Sequence, residues 1–169
     1  MLGVYENFPE NVNETVLFAS PISSKRLQHV VTEIFQKLNT ISLRLEDVST
    51  PSVPECSVIF EFGIAETQGF TYLDVEEKEK LLKKMHEKTF QTMDFLCVIR
   101  YYRTQNGKKT PLKFDYYMLR FRFSKGLMEM QVYHEKGSMH VSPEELVDLV
   151  RERINETFHK KILKPIQNQ

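Results

Sequence analysis

The sequence predicts an α+β fold, a mostly antiparallel sheet with three amphipathic helices in the order β-α-β-β-β-α-β-β-β-α. Three observations predict it. Apolar residues recur at helical spacing in three capped segments, short alternating segments fill the gaps between them, and Asn106-Gly107 and Lys125-Gly126 supply tight turns.

The first strand spans Thr15 to Ala19. Ser20-Pro21 then suits a helix start, because serine can cap free backbone N–H groups and proline at the first helical position forfeits no hydrogen bond. Leu27, Val30, Val31, Ile34 and Leu38 make one apolar stripe, and Asn39 ends it. Strands follow at Ile41 to Asp47, Ser57 to Ala65 and Phe70 to Leu73. Between the first two lies Val48 to Glu55, whose prolines at 51 and 54 mark a loop.

The second helix opens at Asp74, with Glu77 three residues on completing a capping-box pattern, and runs toward Met93 on a stripe of Val75, Leu82, Met85 and Met93. Strands at Leu96 to Arg103, Leu112 to Phe123 and Leu127 to His134 follow. Asn-Gly accepts positive φ at both centres of a two-residue turn, so 106–107 joins the first of these strands to the second. A two-residue turn at Lys125-Gly126 sets Phe123 opposite Met128, Phe121 opposite Met130 and Leu119 opposite Val132. It also sets Arg122 opposite Glu129 and Arg120 opposite Gln131. In the long middle strand Leu112, Phe114 and Tyr116 hold one parity and Leu119, Phe121 and Phe123 the other, which a bulge near Tyr116 to Met118 explains. The third helix begins Ser142-Pro143-Glu144-Glu145 and carries Leu146, Val147, Val150, Ile154 and Phe158 inward. His159-Lys160-Lys161 places positive charge near its C-terminus, where the helix dipole favours it. The two Ser-Pro helix starts hint faintly at a duplicated strand-plus-helix unit, but two dipeptides are poor grounds for a repeat.

A chain of 169 residues suits one domain and can bury roughly two-thirds of the surface of its unfolded form. No apolar run approaches the roughly 20 residues needed to span a bilayer. With two cysteines, Cys56 and Cys97, and no secretory signal at the start, a reducing, cytoplasmic setting is expected.

Net charge is zero, with 23 basic and 23 acidic residues, but it is unevenly placed. From Arg100 to Lys125 there are eight bases and one acid, whereas Leu45 to Glu77 holds eight acids and no base.

Standard catalytic signatures are missing. His86-Glu87 and His134-Glu135 begin like a zinc-protease helix and lack the second histidine, and the glycines form no phosphate loop. Cys97, among Phe95, Leu96, Val98 and Ile99, reads as an inert buried thiol. His134 and His140 would need a further ligand to hold a metal, and such a pair ordinarily solvates or caps. Neither a cofactor nor a metal is expected.

What stands out is Ile99 to Lys109, where basic residues and tyrosines interleave, followed by Arg120 and Arg122. Lysine and arginine suit phosphates, while Tyr101, Tyr102, Tyr116 or Tyr117 could stack on bases. The expectation is a non-catalytic binding module presenting Arg100, Tyr101, Tyr102, Arg103, Lys108, Lys109, Arg120 and Arg122 to a macromolecular partner, nucleic acid or protein. Two copies could also pair through the acidic stretch and the basic hairpin. The ordinary alternative is that the acidic strands lie beside the basic ones and neutralise them. The competing function is a metal-assisted enzyme acting on a phosphorylated or other anionic small molecule in a curved sheet, with Arg100, Arg120 and Arg122 on the anion and Glu61 and Glu129 holding a divalent metal or acting as base.

Overall fold

The computed structural model describes residues 1–49 and 55–166. The prolines of the 48–55 loop therefore lie outside the described residues. The elements run β1 (Glu14–Ala19), α1 (Ser24–Leu38), β2 (Ser42–Arg44), a short 3-10 turn (Leu45–Asp47), β3 (Cys56–Glu66), β4 (Gly69–Tyr72), α2 (Val75–Glu87), β5 (Thr92–Gln105), β6 (Lys108–Ser124), β7 (Leu127–Gly137), α3 (Pro143–Thr157) and β8 (Lys164–Pro165). This is the α+β order expected, with a two-residue strand added at the end.

The strands form one eight-stranded antiparallel sheet in the order β2-β3-β5-β6-β7-β1-β8, with β4 pairing the far end of β3. The β6–β7 register is the expected one, Phe123 opposite Met128 and Arg122 opposite Glu129. In the β5–β6 turn Asn106 and Gly107 have φ of 51° and 74°, the doubly left-handed turn that matches strand twist.

Side-chain parity decides the layers. Met93, Phe95, Cys97, Ile99 and Tyr101 on β5 and Tyr117, Leu119, Phe121 and Phe123 on β6 are buried beneath the helices. Phe35 of α1 stacks on Phe62 with ring centres 4.0 Å apart and meets Phe95 edge-on at 4.9 Å. Burying such a ring contributes about 1.5–3 kcal/mol, so this aromatic cluster anchors α1 to the sheet. The opposite parity faces away from the helices. The N-terminal segment crosses one end of that open face, where Gly3 donates to Ala65 and accepts from Asp94, and Asn13 donates to Val132.

Several boundaries differ from expectation for identifiable reasons. The first helix starts at a Ser23 cap, not at Ser20-Pro21, because the Ser20 hydroxyl accepts from Ile22 N–H while its own N–H donates to Gly126. With that start gone, the hint of duplication loses one of its two supports. The second helix ends at Glu87, short of Met93, because Gln28 of α1 clamps both the N–H and the C=O of Phe90 and draws the chain into β5. Val75, placed in its stripe, is instead exposed, and Leu81 takes the buried position. The third helix has the full reciprocal capping box between Ser142 and Glu145. The bulge at Tyr116 and Tyr117 is real, but its extra residue is Glu135 on β7, so β6 keeps one alternation from Phe114 to Ser124; its own extra residue comes earlier, where Leu112 and Lys113 lie opposite Tyr101. Phe114 and Tyr116 do not switch inward; they lie on the open face beside Arg100 and Val98.

Candidate interaction surface

β5 and β6 outrun their neighbours. β7 stops pairing at Asp115–Gly137 and β3 at Cys56–Arg103, so the two strands continue as a two-stranded ribbon whose residues 104–114 are all exposed. It carries Lys108, Lys109 and Lys113 and no acid, with half-buried Arg103 at its root. Among the described residues none of these four enters an ion pair.

The root of the ribbon is rigid for an electrostatic reason. Asp115, fully buried, accepts from the Tyr101 hydroxyl (2.5 Å), Met139 N–H (2.6 Å) and His140 N–H (3.1 Å), and pairs with His134 Nε2 at 2.9 Å. A buried carboxylate is tolerable when its lone pairs are met in this way. Gly137, at φ 119°, makes room for it, since a side chain there would collide with the Phe114 carbonyl oxygen and Asp115 Oδ1. The Tyr117 hydroxyl donates to the Val141 carbonyl, and the Ser49 hydroxyl donates to the His140 carbonyl at 3.0 Å. The loop into α3 and the ribbon root are thus one hydrogen-bonded block. Burial, with Asp115 beside them, pushes the Tyr101 and Tyr117 hydroxyls well above the usual tyrosine range. Burial likewise raises the thiols of Cys56 and Cys97, which leaves them protonated and inert.

This parity divides the four candidate tyrosines. Tyr101 and Tyr117 are 1% and 0% exposed, so their rings are core and the expectation that Tyr101 contacts a partner is corrected. Tyr102 and Tyr116 lie on the open face. Tyr116 is joined by Phe114, 39% exposed, with ring centres 5.1 Å apart. Lys136 Nζ sits 4.5 Å from the Tyr116 centroid and the Arg100 guanidinium 5.9 Å from that of Phe114. Phe114 and Lys136 were missed as site residues. The signal was present in the parity of Phe114 and Tyr116, which a bulge was expected to turn inward and which instead marks aromatics on the open face.

The three remaining arginines each have an internal carboxylate. Arg100 Nε lies 2.8 Å from Glu61, and that contact raises the guanidinium pKa further. Arg120 holds Asp94 through two bonds of 2.7 and 2.8 Å, with Phe8 of the N-terminal segment 4.3 Å over its guanidinium. Arg122 meets Glu129 at 4.0 Å. The acidic stretch neutralises one arginine of the basic strands, Arg100; Asp94 and Glu129 serve the others. The eight predicted residues therefore do not form one surface. Arg120 belongs to a buried pair, Arg122 to an exposed one, and Arg103, Lys108 and Lys109 to the ribbon.

The two carboxylates expected to hold a metal do not come together. Glu61 and Glu129 stand three strands apart and six residues out of register, roughly 24 Å, so they cannot share an ion. Among the described residues no group of three or more His, Cys, Asp or Glu could hold a metal, His134 being engaged with Asp115. No helix among them is long and apolar enough to cross a membrane. The chain matches no known protein family, no curated protein and no solved structure.

Proposed function

We propose that this chain is a non-catalytic binding module for single-stranded nucleic acid, with the open-face aromatics Tyr102, Phe114 and Tyr116 stacking on bases and Arg103, Lys108, Lys109, Lys113 and Lys136 meeting phosphates. The observation that carries this reading is the pair of adjoining open-face rings, exposed Phe114 and half-buried Tyr116, beside a cationic ribbon without acids. Stacking needs a flat aromatic surface open to solvent, and each stacked base contributes about 1–3 kcal/mol in single-strand binders. Unopposed lysines supply the sequence-independent attraction. Arg100 stands at the edge of this surface and keeps Glu61 as its resting partner.

A protein partner is favoured by one separate feature, the neutrality of the middle of the open face, where each arginine already has its acid. Titration of an oligothymidylate at two salt concentrations separates the readings. For five phosphate contacts the slope of log affinity on log salt is about −3.5. Phe114→Ala with Tyr116→Ala then weakens binding at least tenfold without changing that slope. Affinity that ignores salt, or that survives loss of both rings, overturns the nucleic-acid reading.

A further inference from the structure

A second cationic group lies at the other end of β6, at the β6–β7 turn. The 17 residues of β6 set it roughly 55 Å from the ribbon tip, so no small ligand spans both. Here Lys160 and Lys161, just past α3, and Lys164 of β8 line a cleft of about 410 Å³ together with Ser20, Gly126 and Ile162. All three lysines are exposed, and Lys125 stands beside Gly126 in the turn. Among the described residues no acid lines the cleft and none of the four lysines enters an ion pair.

The lysines are carried by a fixed main chain. Ile162 and Leu163 are buried, and the N–H groups of both donate to Asn155 Oδ1 at 3.0 and 3.1 Å. Lys164 pairs with Ala19 across β8 and β1, and Ile166 N–H donates to the Leu17 carbonyl at 2.8 Å. The facing wall is held by Ser20 N–H on the Gly126 carbonyl at 3.0 Å. Dipole compensation accounts for a positive charge near the end of α3, but not for Lys164, which belongs to another element and faces the same cleft. Lysines that line one cleft without a counter-charge among the described residues repel one another, and a multivalent anion removes that repulsion. Lysine meets phosphate as a point charge and needs no planar fork, which suits a compact ligand of variable pose.

We propose that this cleft binds a small anion carrying two or more phosphates, independently of the ribbon. The test is calorimetric titration of the whole chain with tripolyphosphate, then with a soluble inositol polyphosphate, then with vesicles bearing that headgroup. The expected result is saturable one-to-one binding of both soluble anions. Lys160→Gln/Lys161→Gln/Lys164→Gln weakens it at least tenfold, while the corresponding triple arginine variant keeps it. Lys108→Gln/Lys109→Gln leaves it unchanged but weakens oligonucleotide binding, so failure here and failure of the ribbon reading are distinguishable. A dissociation constant above about 1 mM for both soluble anions, binding confined to vesicles, or equal loss in the ribbon variant overturns the proposal.

Discussion

The hydroxyl of Tyr101 on β5 donates to the carboxylate of Asp115 on β6 at 2.5 Å, beneath the root of a ribbon whose next tyrosine, Tyr102, faces the opposite way. One residue of strand separates a structural tyrosine from one offered to solvent. A hydrogen bond to a charged acceptor contributes about 1.5–3 kcal/mol, so Tyr101→Phe lowers stability by that amount in urea denaturation. Oligonucleotide affinity stays unchanged. Asp115→Ala costs at least about 3 kcal/mol, because it strands the tyrosine hydroxyl and two main-chain donors at once. Tyr102→Ala does the reverse, weakening binding with little effect on the denaturation midpoint.

The same burial dictates an alkaline limit. Tyr101 and Tyr117 are protonated in the folded state far above the pH at which an unfolded tyrosine, near 10, loses its proton. Above about pH 10 the unfolded chain therefore binds fewer protons than the folded one, and stability falls as pH rises; below that value the contribution is fully present. Tyrosinate absorbance during alkaline titration should show these two of the seven tyrosines ionising only with unfolding. Smooth titration of all seven before the circular dichroism changes would contradict this account.

Arg120 and Arg122, two residues apart on β6, are expected to behave differently. Asp94 is wholly buried, and Arg120 is its cationic partner, so Arg120→Ala leaves a charge uncompensated and costs about 3–5 kcal/mol. It also loosens the N-terminal segment, since Asp94 accepts from Tyr5 N–H at 2.7 Å and Arg120 donates to the Tyr5 carbonyl. Hydrogen exchange at Gly3 and Tyr5 should quicken. Arg122→Ala removes a half-exposed contact of 4.0 Å and costs about 1 kcal/mol or less. Equal denaturation midpoints for the two variants would refute the assignment.

This contrast also marks what was legible in the sequence. Phe123 opposite Met128 could be read from a two-residue turn and a two-residue period, both local rules. The Asp94–Arg120 pair could not, because the helical stripe drawn through to Met93 concealed the start of β5, and the clamp that ends α2 early comes from Gln28, 62 residues away from Phe90. Alternation told Tyr101 from Tyr102, but which of the two faces the helices would cover depends on packing of the whole sheet. The cap at Ser23 was open to the same rule as Ser20. What decided between them was a turn contact from Gly126, again remote in sequence.

Glu61 offers the most discriminating test of the ribbon surface. Its carboxylate holds Arg100, and both side chains are more than a third exposed, so the pair contributes only about 0.2–1 kcal/mol. Glu61→Gln therefore leaves the fold intact while releasing a guanidinium beside Phe114. For a nucleic-acid partner, that release should tighten oligonucleotide binding by a factor of about 1.4 to 5 and steepen the salt slope by about 0.7, one additional phosphate contact. Adding Arg100→Gln to the variant should abolish both gains. An affinity unchanged by Glu61→Gln would place Arg100 outside the contact, and would shift the site from the sheet onto the ribbon tip at Lys108 and Lys109.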